Sequence, residues 1–146
     1  MFAGDAIRLE ISKNGHPCAW ERGGGRSNTG DVTIIAAADG SPKKPIYIRR
    51  RGSLSNDQHA LFIVHEGDII IDAEHHRGDF YIKVCRIKRL SKRENEYIAF
   101  LDVTHRFHQG QWDVEPSGKL VDAVNAAMEK AQTYHCREPY YYRDFD

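Results

Sequence analysis

Ile7, Leu9 and Ile11 alternate with Arg8, Glu10 and Ser12, a period of two that sets one face of a strand on a core and the other in water. The Asn14-Gly15 pair that follows tolerates positive φ and predicts a tight hairpin turn, with the chain returning through Cys18, Ala19 and Trp20. Pro17 lacks an N–H, which marks the return strand as an edge. Residues 21–30, ERGGGRSNTG, show no apolar period and too much glycine to be held by packing. They read as a flexible or ligand-shaping loop.

Residues 31–37 resume a run rich in β-branched residues, and Asp39-Gly40 turns the chain toward a short strand at 46–50 in which Ile46 and Ile48 share a face. Residues 51–57 have loop composition. Residues 59–65 place Phe62 and Val64 opposite Leu61 and Ile63, and apolar side chains on both faces predict a central strand. Glu66-Gly67-Asp68 leads into Ile69-Ile70-Ile71, residues 74–79 form the third arginine-glycine loop, and residues 80–87 return as a strand. In that strand the inward parity of Phe80, Ile82 and Val84 switches at Ile87, which predicts a β-bulge near Cys85-Arg86. After a charged turn at 91–95, Tyr97, Ala99, Leu101 and Val103 share one face of a further strand.

About eight short strands with no helix between them predict a mainly β fold: antiparallel strands in a sandwich or barrel, a jelly roll among the options. A single helix follows over residues 117–135. Pro116-Ser117 supplies its start, with Ser117 as N-cap, and Leu120, Val124, Ala127, Met128 and Ala131 recur at helical spacing. Residues 136–146, with Tyr140, Tyr141, Tyr142 and Phe145, form an aromatic tail suited to packing on the domain or on a partner.

Length and composition narrow the picture further. At 146 residues, with 40% apolar and 29% charged residues, residues 1–146 form one domain able to bury its own core. Three cysteines are too few for a disulfide framework, and no long apolar run or basic leader is present, so a cytoplasmic protein without a membrane span is expected. Twenty-one basic residues balance twenty-one acidic ones. Attraction for a polyanion must therefore come from local segregation of charge.

Such segregation occurs at three Arg-Gly pairs, Arg22-Gly23, Arg51-Gly52 and Arg77-Gly78. Glycine lets backbone N–H groups approach a ligand, and arginine adds a forked, permanently charged donor suited to oxyanions. The loop at 21–30 also holds Arg26, but it lacks the Gly-Lys-Ser/Thr ending of a P-loop and the spacing of a dinucleotide fold. Lys43, Lys44, Arg49, Arg50 and Arg51 form the densest positive run, with Tyr47 placed to stack on a base. The leading expectation is a binding module for a phosphate-containing ligand, single-stranded nucleic acid or a nucleotide, held by Arg22, Arg26, Tyr47, Arg49, Arg51 and Arg77.

Two other readings compete. His75 or His76 beside Arg77 supplies a general acid or base next to an anion stabiliser, the pieces of a hydrolase or lyase acting on a phosphorylated or polar small molecule. Alternatively the exposed sheet edge or the aromatic tail joins copies into a homo-oligomer without catalysis. His105, His108, His135 and Cys136 lack the paired close spacing of a zinc site, so neither a metal nor a cofactor is expected.

Overall fold

The structure, a computed structural model, describes the backbone of residues 5–26, 29–50 and 58–145, and the side chains of these except 24–26, 29, 50, 58 and 133–145. Among the described residues nine strands precede one helix: β1 (Ala6–Ile11), β2 (Pro17–Arg26), β3 (Thr29–Ala36), β4 (Tyr47–Arg50), β5 (Gln58–Ile63), β6 (Ile69–His76), β7 (Asp79–Lys92), β8 (Tyr97–His108), β9 (Gln111–Trp112) and α1 (Lys119–Phe145). Hydrogen-bonded neighbours run β1-β8-β7-β6-β3-β2-β5-β4. Because β2 also pairs with β1, Glu10 opposite Cys18, six strands close into an antiparallel barrel. β5 and β4 extend the sheet from β2, and β9 pairs with β8.

The pleat divides the apolar residues into two cores. Val32, Ile69, Ile71, Ala73, Ile82 and Val84 point outward and bury against Leu120, Val124, Ala127 and Ala131 of α1. Leu9, Ile35, Ile70, Cys85, Ala99 and Leu101 point inward and fill the barrel. A sheet covered on both faces needs apolar residues at consecutive positions, and Ile69, Ile70 and Ile71 are all buried. The predicted helix face is the one that packs, with Met128 at its margin.

Several local expectations change. Residues 21–26 are strand: Gly23, Gly24 and Gly25 lie opposite Val32, Asp31 and Gly30 in an extended hairpin. β3 supplies a partner for each of these glycines, so pairing holds what side-chain packing cannot. Residues 74–79 are likewise two strand ends joined by Arg77-Gly78, whose φ values of 50° and 94° fit a two-residue hairpin turn. Pro17 does not mark an edge, since β2 pairs with β1, β3 and β5; it is the first residue of its strand, where a missing N–H is tolerated, and its carbonyl accepts from Val64 N. Among the described residues β4 is the end strand instead. β5 does lie between two neighbours, and the β7–β8 register shifts between Val84 and Cys85 and again between Ile87 and Arg89.

The helix begins at Lys119, so Gly118, with φ 61°, takes the capping position expected of Ser117. Its backbone stays helical through Phe145, beyond the expected end at 135. Gly40 fixes where α1 starts: its φ is 92°, and a Cβ placed there would lie 2.5 Å from Leu120 N. A buried ion pair ties the approach to β4 onto the turn before β6, with Lys43 Nζ 2.5 Å from Asp68 Oδ2 and the same oxygen accepting from His65 N. Among the described residues no helix is long and apolar enough to cross a membrane.

Candidate ligand-binding face and cavity

Cross-strand partners in a sheet share a face, so the register places Trp20, Leu61 and Tyr47 in one row across β2, β5 and β4. Tyr47 meets Trp20 edge-on, with ring centres 6.1 Å apart at 78°. One position pair along, Arg49 opposes His59, and its guanidinium carbon sits 5.0 Å from the centre of the Trp20 ring. Trp20 is thus a half-buried aromatic platform with a cation on it. Its indole N–H donates to Glu10 Oε2 at 2.8 Å, which fixes the ring's orientation.

Arg22, two residues beyond Trp20, has the same parity. It lies opposite Thr33, and the row continues through Asp72, Lys83 and Arg106. Within that row Thr33 Oγ1 donates to Asp72 Oδ1 at 2.8 Å, and Lys83 Nζ reaches Asp5 Oδ2 at 2.8 Å. These groups form a polar layer directly beyond Ile35, Ile70 and Cys85 of the barrel core. The layer and Trp20 line a cavity of about 540 Å³, with Leu9, Ile35, Ile70 and Leu101 among its apolar walls.

The ion pair shapes the charges. The bond to Lys83 holds the Asp5 carboxyl below the usual carboxylate range, and the bond to Asp5 raises the Lys83 ammonium against the opposing effect of burial. Two residues farther along the same sheet face, Asp31 is pushed up, first by burial and then by Glu74 and Asp72. Arg22 is exposed and makes no ion pair among the described residues. It is therefore the cavity's available cation.

Of the residues singled out from sequence, Tyr47 and Arg49 contact Trp20, and Arg22, two positions along β2, lines the same cavity as Trp20. Arg26 lies at the end of β2 in a row with Thr29, His76 and Asp79; its side chain is outside the described set. The adjoining turn holds Arg77, exposed, so Arg26 and Arg77 belong to the same end of the sheet. Arg51 lies outside the described residues. His75 and His76, being consecutive in β6, face opposite ways: His75 is 6% exposed and packs against Phe80, 4.8 Å between ring centres, whereas His76 is exposed. The two histidines do not share a site.

Trp20, Asp5, Thr33, Asp72 and Lys83 join the site although no motif announces them. Their signal in the sequence is parity: Asp72 falls in step with Ile70, Lys83 with Cys85 and Thr33 with Ile35, so each puts a polar group on the inward face of an apolar strand. Among the described residues no cluster of three or more His, Cys, Asp or Glu is arranged to hold a metal ion. No protein-family model, curated protein or solved structure matches the chain.

Proposed function

We propose that the protein is a binding module for a phosphate-containing ligand, single-stranded nucleic acid or a nucleotide, with Trp20 as the stacking surface and Arg22 and Arg49 as phosphate contacts. The observation that carries this reading is the placement of Arg49 over Trp20 with Tyr47 against the ring edge. A base has two π faces, and stacking on an accessible aromatic combined with nearby guanidinium groups is the usual basis of sequence-tolerant single-strand binding. Lys44 and Arg50 belong to the same basic run in sequence, while the whole chain stays neutral. Arg26, Arg51 and Arg77 are further candidates for the path of the backbone, and Cys18 and Cys85 are free thiols, in keeping with a cytoplasmic setting.

Intrinsic tryptophan fluorescence tests the proposal. Adding a single-stranded oligonucleotide is expected to quench the emission through Trp20, and Trp20→Phe removes that part of the change. Quenching equal in the wild type and Trp20→Phe would assign the signal to Trp112 and overturn the proposed platform.

A second reading, self-association through β4, is favoured by the exposure of Ile46, Tyr47 and Ile48 at 48%, 55% and 50% at the start of the strand that ends the sheet among the described residues. Such an edge is a template for pairing. Two copies paired there would bring Arg49 and Arg50 of each alongside those of the other, a like-charge cost that an anionic ligand does not meet. Light scattering distinguishes them: assembly abolished in Ile48→Lys supports the second reading, and a monomer at all concentrations eliminates it.

A further inference from the structure

The cavity beside Trp20 has a hydrogen-bonding pattern of its own. Asp72 lies opposite Lys83 in the β6–β7 register, and Asp5 is bonded to the same ammonium at 2.8 Å. Asp72 thus stands beside the ammonium that Asp5 holds, an acceptor next to a donor along one wall. Thr33 donates to one oxygen of Asp72, which leaves the other oxygen as an acceptor. Leu9, Ile35, Ile70 and Leu101 supply apolar lining, Trp20 an aromatic one and Arg22 an exposed cation. The volume of about 540 Å³ falls in the range of roughly 300–1,000 Å³ usual for small-molecule sites.

An occupant must match this wall. It needs a planar body to lie along Trp20, an anionic group for Arg22, and an edge with more donors than acceptors. Adenine offers a donor beside an acceptor on its pairing edge, and cytosine and uracil each offer one donor with two acceptors. Guanine alone presents two donors, N1–H and N2–H, beside one acceptor, O6. We infer that this cavity receives an unstacked guanine base, with its adjacent N1–H and N2–H groups toward the Asp72 carboxylate, its O6 toward Lys83, and its phosphate at Arg22. The inference rests on the nucleotide-binding reading above and adds base selectivity to it. Stacking on an aromatic wall with hydrogen bonds to the pairing edge is how proteins commonly read a base taken out of its stack.

Calorimetric titration of the full chain with GMP, AMP, CMP and UMP tests it. GMP is expected to bind about tenfold or more tightly than each of the others, the discrimination of one well-formed two-point contact. Asp72→Asn keeps the side chain's size and its contact with Thr33 but replaces an acceptor by a donor, so the ratio of GMP to AMP affinity should fall toward one. Lys83→Met should lower the same ratio by removing the group facing O6. A ratio is read because loss of folded protein lowers all four affinities together and does not alter it. Equal binding of the four nucleotides, or a guanine preference unchanged in both variants, overturns the inference.

The two levels fail separately. A thymine-only oligonucleotide that quenches Trp20 as strongly as one carrying a guanine sinks the cavity inference and leaves the surface reading standing. Selective GMP binding without any oligonucleotide binding does the reverse. No binding of either probe removes both.

Discussion

The guanidinium carbon of Arg49 lies 5.0 Å from the centre of the Trp20 ring. Charge and planar stacking are combined in that contact, and Arg49→Lys separates them. Lysine keeps the positive charge but loses the flat guanidinium, so oligonucleotide affinity should fall about two- to fivefold, the size of an exposed cation–aromatic contact. The dependence on salt should stay as it is. A titration repeated at several salt concentrations measures both quantities.

Lys43 and Asp68 are 13% and 7% exposed at their side chains and form the closest ion pair of the described residues. Asp68→Ala strands the ammonium in a mostly dry site and also removes the acceptor for His65 N, so urea denaturation should show a loss of about 3–5 kcal/mol. The double variant Lys43→Met/Asp68→Ala should recover part of that loss, because no unpaired charge remains. It should not recover all of it, because the His65 amide still lacks its partner.

Gly40 and Gly78 have nearly the same φ, 92° and 94°, but different surroundings. At Gly78 no atom lies within 4 Å of an added Cβ, so Gly78→Ala should cost only the left-handed conformation, about 1–2 kcal/mol. At Gly40 the Cβ would meet the backbone of Leu120 at 2.5 Å, and backbone at the start of a packed helix yields little. Gly40→Ala should therefore lower the melting temperature clearly more than Gly78→Ala does.

Burial pushes the Cys85 thiol up to about 11 from 9.0. At pH 8 the folded protein should therefore resist alkylation at Cys85 and take up the label only on unfolding, as mass spectrometry of the labelled peptide would show. The same shift has a consequence for stability. Between pH 9 and 11 the unfolded chain gives up this proton before the folded one, so the contribution is complete below pH 9 and declines as pH rises toward 11. Cys85→Ala should lessen that alkaline decline.

Much of the fold is legible in the sequence because its strands alternate or are continuously apolar according to how many faces they bury. The all-β order, the central position of β5 and the face of α1 are all visible in those periods. Residues 21–26 are not, because their strand is held by pairing with β3, and glycine carries no side-chain pattern to announce it. The turn at Arg77-Gly78 hides in loop-like composition, although arginine at φ 50° shows how short it is. For the site, the charges of Arg22 and Arg49 are conspicuous in sequence. The placement of Arg49 over Trp20 is not, since it depends on β5 inserting between β2 and β4. Asp72 and Lys83 stand out only as polar residues at inward positions, and their bonds to Thr33 and Asp5 span 39 and 78 residues, a relation that closure of the barrel creates.

Arg22 and Arg49 are proposed to contact phosphate, and the salt dependence of single-stranded oligonucleotide binding is the decisive measurement. For Arg22→Ala/Arg49→Ala, binding should be weaker and the plot of log affinity against log salt should have a slope shallower by roughly 1.4, about 0.7 for each phosphate no longer neutralised. A double variant with the wild-type affinity and the wild-type slope would contradict the assignment of these two arginines.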